Sequence, residues 1–241
     1  SSIKKIKPFF LKKTFLTGWP RVDLWLPKYN RLYSPEVRMI KKKYGKYYLF
    51  SSDFGVLSRS ALNKLIKEAK KKGVKTINDF YNLKLAKNIV KSYPKADLII
   101  ANNVLAHIPN LKDFIKSTLT LLKDDGVLIV EFPHILNLIK KKQFDTIYDE
   151  HYFYFSLTSL KNIFSYYDLL IFDVEKLKTH GGSLRIYGKR KKSTKNKISK
   201  KINIFLNKEK KNKLHQFSGY SNFQKEISLI KKKLLLMEQN S

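Results

Sequence analysis

Tyr148, Glu150 and His151 fall within the segment Tyr-Asp-Glu-His, and together these side chains can carry out proton transfer. An imidazole titrates near neutral pH, so His151 is a candidate general base. The anion that such a proton transfer creates needs a hydrogen-bond donor, for which Tyr148 and His107 are candidates. Glu150 can orient the imidazole or raise its basicity. A lone histidine such as His107 is equally consistent with a structural hydrogen bond.

Polar residues also follow two apolar runs. Asn102 and Asn103 end the run at residues 96–103, and Glu131 lies near the end of the run at 127–132. Continuous apolar runs suit strands that are buried on both faces of a parallel sheet. Because ligands bind outside the carboxyl ends of such strands, we expect these polar side chains at the rim of a cleft.

Amphipathic helices are predicted beside these strands, since apolar residues recur there at helical spacing. The predicted helices span residues 60–72, 83–93 and 111–122, with a short strand at 74–77 and a turn at 123–126. Alternating strands and helices of this length predict parallel crossovers. The predicted fold class is therefore α/β, with a Rossmann-like doubly wound sheet.

Lysine dominates the composition, above all after residue 188. The formal net charge of +31 suggests attraction to nucleic acid or anionic lipid. The lysines are spread along the whole chain among many Asn and Ile residues, however, as compositional drift would also produce. We favour drift, so nucleic acid is a partner that the sequence permits but does not favour. Apolar residues within 189–241 still recur at helical spacing, which predicts two lysine-rich helices.

Composition also disfavours several classes of protein. The chain has no cysteine, which excludes disulfides and thiolate zinc sites. Its five histidines have no HExxH or comparable spacing, so no metal site is expected. Lysines interrupt every apolar run before the roughly 18 residues of a membrane span, and the N-terminus has no signal-peptide core. We therefore expect a soluble, cytoplasmic protein with no membrane partner.

Four segments together resemble the S-adenosylmethionine-dependent sugar C-methyltransferases. They are Asn-Asn-Val-Leu-Ala-His-Ile-Pro at residues 102–109, Glu-Phe-Pro at 131–133, the segment at 144–156 that contains Tyr-Asp-Glu-His, and Thr-His-Gly-Gly-Ser-Leu-Arg at 179–185. Their order and spacing also match the family. The resemblance is close over residues 73–190 and looser over the lysine-rich tail.

The resemblance implies a class I methyltransferase that acts on a carbon beside the ketone of a nucleotide-linked keto-deoxy sugar, with S-adenosylmethionine as methyl donor. It divides the chain into a lead-in at 1–43, a methyltransferase-like domain at 44–188 and a helical tail at 189–241. In such an enzyme we expect Gly181 and Gly182 to bend the backbone towards the cleft. The expected cofactor contacts are Asn102, Asp79 and Phe80, and the expected substrate contacts are Tyr48, Asn103, Ser183 and Arg185.

The sequence departs from this family in three respects. The family's cysteine-rich zinc module cannot form, and we expect no C-terminal nucleotide-fold domain. The glycine-rich cofactor loop is not recognisable: either it has been deleted between about residues 58 and 73, or residues 54–58 are the second strand with Leu57 in place of its acidic residue. Two hypotheses follow, an active or formerly active sugar C-methyltransferase and a noncatalytic relative that binds a polyanion.

Overall fold

A five-stranded sheet positions the residues discussed above. The computed structural model describes residues 79–239, the strand at 47–50 and the single positions 67, 71 and 77, all within one compact unit at 46–241. In these residues the strands are β1 (Tyr47–Phe50), β2 (Ala96–Asn102), β3 (Leu122–Pro133), β4 (Leu169–Lys176) and β5 (Ser183–Arg190). The helices are α1 (Leu83–Ser92), α2 (Leu111–Leu121), α3 (Ile135–Lys141), α4 (Leu157–Tyr166), α5 (Lys201–Lys211) and α6 (Phe223–Gln239).

The strand order is β1-β2-β3-β5-β4. The first three strands run parallel, as the alternation of strands and helices predicts, and Ile100 of β2 lies between Leu49 and Ile129. In contrast, β5 runs antiparallel to both of its neighbours. The prediction from the sequence had parallel crossovers and no antiparallel strand. The reason is that only residues 177–182 join β4 to β5, whereas a parallel crossover needs a dozen residues or more. The α/β, Rossmann-like fold class is confirmed, with an antiparallel hairpin at one edge.

The centre of the sheet is buried on both faces. Every residue from 127 to 132 in β3 is at most 8% exposed, and successive side chains of a strand point to opposite faces. Phe114 of α2 and Leu160 of α4 are fully buried in the same hydrophobic cluster as Leu128. The continuous apolar run in the sequence is thus explained by a strand with no solvent-facing side.

The separate turn predicted at 123–126 is wrong: these residues lie within β3, where they form a bulge. Pairing with β2 steps from Leu122 opposite Ala96 to Val127 opposite Leu98, so the residues between are pushed out of the ladder. A basic residue at the end of β5 lies against this region: Arg190 donates hydrogen bonds to the carbonyl oxygens of Leu119, Leu122 and Lys123. Part of the positive charge therefore has a structural role.

Most helices agree with the sequence patterns. The structure confirms the predicted helices as α1 and α2, and the two lysine-rich helices of the tail as α5 and α6. The predicted helix at 60–72 and strand at 74–77 lie outside the described residues, except that Lys67 and Lys71 are helical. Among the helices described, none is long and apolar enough to cross a membrane.

Candidate active site

His151 lies in a series of hydrogen bonds that fixes the tautomer of its neutral ring. Its Nδ1 is 2.9 Å from the carbonyl oxygen of Thr146, and because a carbonyl only accepts, Nδ1 carries the proton. The other nitrogen, Nε2, accepts from the hydroxyl of Tyr148 at 3.1 Å. The hydroxyl of Tyr154 donates to the same Thr146 carbonyl at 3.4 Å. His151 therefore presents a basic nitrogen to a phenol.

The ring of His107 packs against that of His151, with centroids 4.5 Å apart. Its Nδ1 donates to the carbonyl oxygen of Glu150 at 3.0 Å. Burial and then the neighbouring His151 lower the pKa of His107, and the bond to Glu150 only partly offsets them. The imidazole is therefore neutral at neutral pH, and Nε2 has no proton to donate. Of the two candidate donors to an enolate oxygen, this geometry favours Tyr148.

The phenol of Tyr148 is held in its protonated form. Burial, then the carboxylate of Glu150 and the nearby Tyr154, raise the pKa of Tyr148. Among the described contacts no hydrogen bond joins the Glu150 carboxylate to His151, and the Thr146 carbonyl takes the orienting position that the sequence suggests for Glu150. The backbone gives the reason. The His151 N–H donates to the Tyr148 carbonyl, and this turn brings the rings of Tyr148 and His151 to a centroid distance of 4.2 Å, so the imidazole contacts Tyr148 and not the Glu150 carboxylate.

The rings of His151 and His107 are held together by the segment at 144–156 and by the turn after β2. The segment that carries Tyr148 and His151 starts with the turn Phe144–Thr146 and ends at Ser156, the N-cap of α4. Ser156 and Ser159 form a capping box, which fixes the entry into that helix. In the middle of the segment, the N–H of Tyr152 donates to the Ala106 carbonyl at 2.8 Å. This bond brings His151 to His107, which lies in the turn after β2.

Glu131, near the carboxyl end of β3, is bound by the segment at 179–185. Thr179 Oγ1 donates to one carboxylate oxygen at 2.9 Å, and Arg185 Nη2 donates to the other at 3.0 Å. The Arg185 side chain is one-third exposed, at 33%, so it is only partly engaged by this pair. Ser183, in contrast, is fully buried and its hydroxyl donates to the Thr179 carbonyl. The structure thus places Ser183 at the buried start of β5, bonded to the turn, and not in a cleft.

The predicted backbone bend is present at the two glycines, with φ of 73° at Gly181 and 123° at Gly182. Both values lie in the left-handed region that favours glycine. At Gly182 an added Cβ would lie 2.6 Å from the Asn137 amide nitrogen, which donates to the Gly182 carbonyl. A side chain at this position would force the Asn137 side chain to move and disturb this hydrogen bond.

Gly182→Ala is expected to destabilise the protein by about 1–3 kcal/mol because it combines backbone strain with this clash. Chemical denaturation measures the loss. The comparison variant is Gly188→Ala, where the nearest contact to an added Cβ is 3.3 Å and the φ is ordinary. An equal loss at both positions would contradict the strained turn.

Sequence comparison identifies the family to which the chain belongs. A family model described as a methyltransferase domain matches residues 33–172, more than half of the chain. The chain belongs to the methyltransferase domain family. A second model, described as a C-methyltransferase C-terminal domain, matches residues 178–240 of the chain. The second match covers the segment at 179–185 and the lysine-rich tail.

Individual relatives match more narrowly. The chain is 35% identical over 119 residues to the C-methyltransferase NovU of Streptomyces niveus, a match that covers 49% of this chain and 28% of that protein. An S-adenosylmethionine-dependent methyltransferase of Clostridium acetobutylicum superposes with a TM-score of 0.42 at 15% identity, over 65% of this chain and 80% of that one. One of Anabaena variabilis superposes with a TM-score of 0.43 at 16% identity, over 71% and 84%.

S-adenosylmethionine is the cofactor of this family, and the carboxyl end of β2 offers groups that fit it. Asn102 is exposed there, and Asn103 adopts a left-handed φ of 52° while its N–H donates to the Glu131 carbonyl. The Asn103 Oδ1 is buried and accepts no hydrogen bond from the described part of the chain. A buried acceptor without a partner is costly, so Asn103 offers an acceptor for a hydrogen-bond donor of a ligand at this edge, such as an amine or a hydroxyl.

The described contacts do not connect the remaining predicted ligand contacts to His151. Asp79 accepts a hydrogen bond from the N–H of Phe80, whose ring is 89% exposed. No hydrogen bond or ring contact in the described residues joins this pair to Asn102 or to His151. The side chain of Tyr48 lies outside the described residues, and only its place in β1 is given.

Two groups in the site have no counterpart among the residues predicted from the sequence. The Thr146 carbonyl is a backbone atom, so no residue type marks it. Thr179 begins the motif segment at 179–185, but its residue type does not reveal that it binds Glu131 across the sheet. Tyr154 was visible in the aromatic segment, where packing is the simpler interpretation, although its hydroxyl reaches Thr146.

Proposed function

We propose that this methyltransferase transfers the methyl group of S-adenosylmethionine to a carbon beside the ketone of a nucleotide-linked keto-deoxy sugar. The hydrogen-bonded series of Tyr148, His151 and the Thr146 carbonyl carries the proposal. Bound S-adenosylmethionine supplies an electrophilic methyl group, so the protein must generate a carbon nucleophile. The four motif segments and the similarity to a C-methyltransferase support the choice of substrate.

The proton transfer needs one rotation. In the free protein the Tyr148 hydroxyl donates to Nε2 of His151. When this O–H turns to the carbonyl oxygen of the substrate, Nε2 becomes free to take the proton from the adjacent carbon. The C–H electron pair moves into the enolate, and Tyr148 donates to the oxygen on which the negative charge develops. The Thr146 carbonyl stabilises the imidazolium through Nδ1.

The neighbouring residues support this pair. His107 confines the His151 ring from one side and is neutral, so it adds no charge that would oppose protonation of His151. Glu150 helps to keep Tyr148 protonated, which preserves a donor. Arg185 has exposed surface beside its partners Glu131 and Glu175, and it is the proposed contact for a substrate phosphate.

The cofactor and the rest of the substrate are assigned to the sheet edge. Asn102 and Asn103 follow β2, so their side chains are the proposed contacts for S-adenosylmethionine and for the sugar, respectively. Asp79 and Phe80 precede α1 and stay proposed cofactor contacts, and Tyr48 of β1 stays a proposed substrate contact. Each assignment is tested by the effect of alanine substitution on the corresponding dissociation constant.

The proposed reaction makes a prediction that separates its two halves. In D2O without S-adenosylmethionine, the protein is expected to exchange deuterium into the carbon beside the ketone of a nucleoside-diphosphate-linked keto-deoxy sugar. With S-adenosylmethionine, the same carbon should gain a methyl group, as NMR and mass spectrometry would show. Calorimetry measures cofactor binding separately.

Three results would contradict this proposal. Absence of heat with S-adenosylmethionine at about millimolar concentration would exclude present-day methyl transfer and favour the noncatalytic relative. Methylation on oxygen would contradict a carbon nucleophile. Deuterium exchange into the substrate that is no faster than in buffer alone would show that the protein supplies no base for this carbon.

A further inference from the structure

Glu209 of the lysine-rich tail is a buried carboxylate that the proposed reaction does not use. Its side chain is 1% exposed, and both oxygens are hydrogen-bonded. One oxygen accepts from Nε2 of His134 and from the N–H of Leu157, each at 2.7 Å. The other accepts from the N–H and the hydroxyl of Thr158, at 2.8 and 2.5 Å. A single residue of α5 thus satisfies four donors.

These donors lie at the junction of the motif segments. Leu157 and Thr158 are the first residues of α4, directly after the segment that carries His151. The backbone N–H of His134 donates to the Gly182 carbonyl, and His134 pairs with Phe155 in an isolated β-bridge. Glu209 therefore links the end of β3, the glycine turn and the end of the His151 segment.

The placement of a charge here needs an explanation beyond packing. A buried carboxylate often stabilises a fold no better than well-packed apolar residues do, because its desolvation opposes the attraction of its hydrogen-bond partners. The N-terminus of α4 favours a carboxylate, but its N-cap is already supplied by Ser156. A carboxylate does fix direction and distance, since each of its donors must be met at hydrogen-bond geometry.

We propose that Glu209 is a positioning residue through which helix α5 sets the placement of the segment at 144–156, and with it the rings of His151 and Tyr148. The inference rests on the proposed function for its effect on turnover only. Its effect on the segment itself is a property of the protein without ligands.

The test compares Glu209→Gln with Glu226→Gln, an exposed glutamate of the same tail that pairs with Lys142. Glutamine keeps the size of the side chain, but its amide nitrogen is a donor and cannot accept. At least one of the four groups that donate to Glu209 would then face another donor. In Glu209→Gln, hydrogen-exchange mass spectrometry should show at least about tenfold faster exchange in peptides from 144–156 and unchanged exchange in β2 and β3. The imidazole NMR signals of His107 and His151 should shift. Neither change is expected in Glu226→Gln.

Kinetics add a second criterion. If Glu209 acts through His151, kcat should fall about tenfold or more in Glu209→Gln while the KM for S-adenosylmethionine is unchanged. Should the wild-type protein transfer no methyl group, the proposed function fails, and exchange and NMR still decide the positioning role. If Glu209→Gln does not fold, Thr158→Ala removes one donor and should produce the same changes in smaller degree.

Two outcomes would overturn the inference. Unchanged exchange and imidazole signals in a folded Glu209→Gln protein would show that the carboxylate does not position the segment. Faster exchange that is equal in β2, β3 and residues 144–156 would show that Glu209 supports the whole fold and no part of it selectively.

Discussion

His151→Ala is expected to lower kcat for methyl transfer by about 10²–10⁴-fold, the usual contribution of a general base. The variant removes the nitrogen that accepts from Tyr148 and leaves the carboxyl edge of β2 intact. The dissociation constant for S-adenosylmethionine should therefore change little. Steady-state kinetics and calorimetry measure the two quantities, and deuterium exchange into the substrate should be lost together with turnover.

A matched control is His215→Ala, since His215 is an exposed histidine of the tail. It should retain the kcat of the unaltered protein. If His151→Ala also retained it, His151 would not be the base. If the variant lost S-adenosylmethionine binding, the imidazole would act on the cofactor side and not on the substrate carbon.

Glu209→Ala is expected to cost about 3–5 kcal/mol in the free energy of unfolding, because it leaves Nε2 of the buried His134 and the first two N–H groups of α4 without their acceptor, and each buried donor left unsatisfied costs about 1–3 kcal/mol. Glu226→Ala should cost less than about 1 kcal/mol, since its pair with Lys142 is exposed. Chemical denaturation of both variants measures the difference. Equal losses would contradict the distinction between the buried and the exposed carboxylate.

The stabilisation by Glu209 should also depend on pH. Burial alone would raise the pKa of Glu209, but hydrogen bonds from His134 and Thr158, with those from the backbone of Thr158 and Leu157, outweigh it and lower the pKa below its ordinary value of 4.5. A lowered pKa in the folded state gives stability that is present above 4.5 and is lost as the pH falls below it.

The difference in stability between the unaltered protein and Glu209→Gln should therefore be largest near neutral pH and shrink in acid. Glutamine does not titrate, so the variant provides the baseline. Denaturation midpoints at neutral pH and below 4.5 measure this change. A difference that grew in acid would contradict the direction assigned to the pKa.

The strongest patterns in the sequence were those that depend on burial. The run at 127–132 is apolar because both faces of β3 are covered, and the helical spacing at 83–93 gives α1. The sequence patterns above do not include helix α4. Ser156 and Ser159 carry its capping signal, but they lie at the end of a segment interpreted by its motif. The antiparallel β5 depends on the short link to β4, which local patterns do not resolve.

The site was predictable where residues close in sequence meet. Tyr148 and His151 lie on one turn, so their side-chain types suggested a pair, and the structure places them in contact while their roles stay predictions. The Thr146 carbonyl has no sequence signature. Glu209 is 75 residues from His134 along the chain, and one acidic residue among many lysines gives no sign of its partner.

The hydrogen bonds of Glu209 have a consequence for how this chain can be divided. Composition draws a boundary after residue 188, where lysine begins to dominate. A fragment that ended there would keep the signature motifs and the sheet through Gly188, yet it would lose the acceptor for His134 and for the start of α4. The smallest piece suited to expression on its own therefore extends through α5, beyond the point at which the sequence changes character.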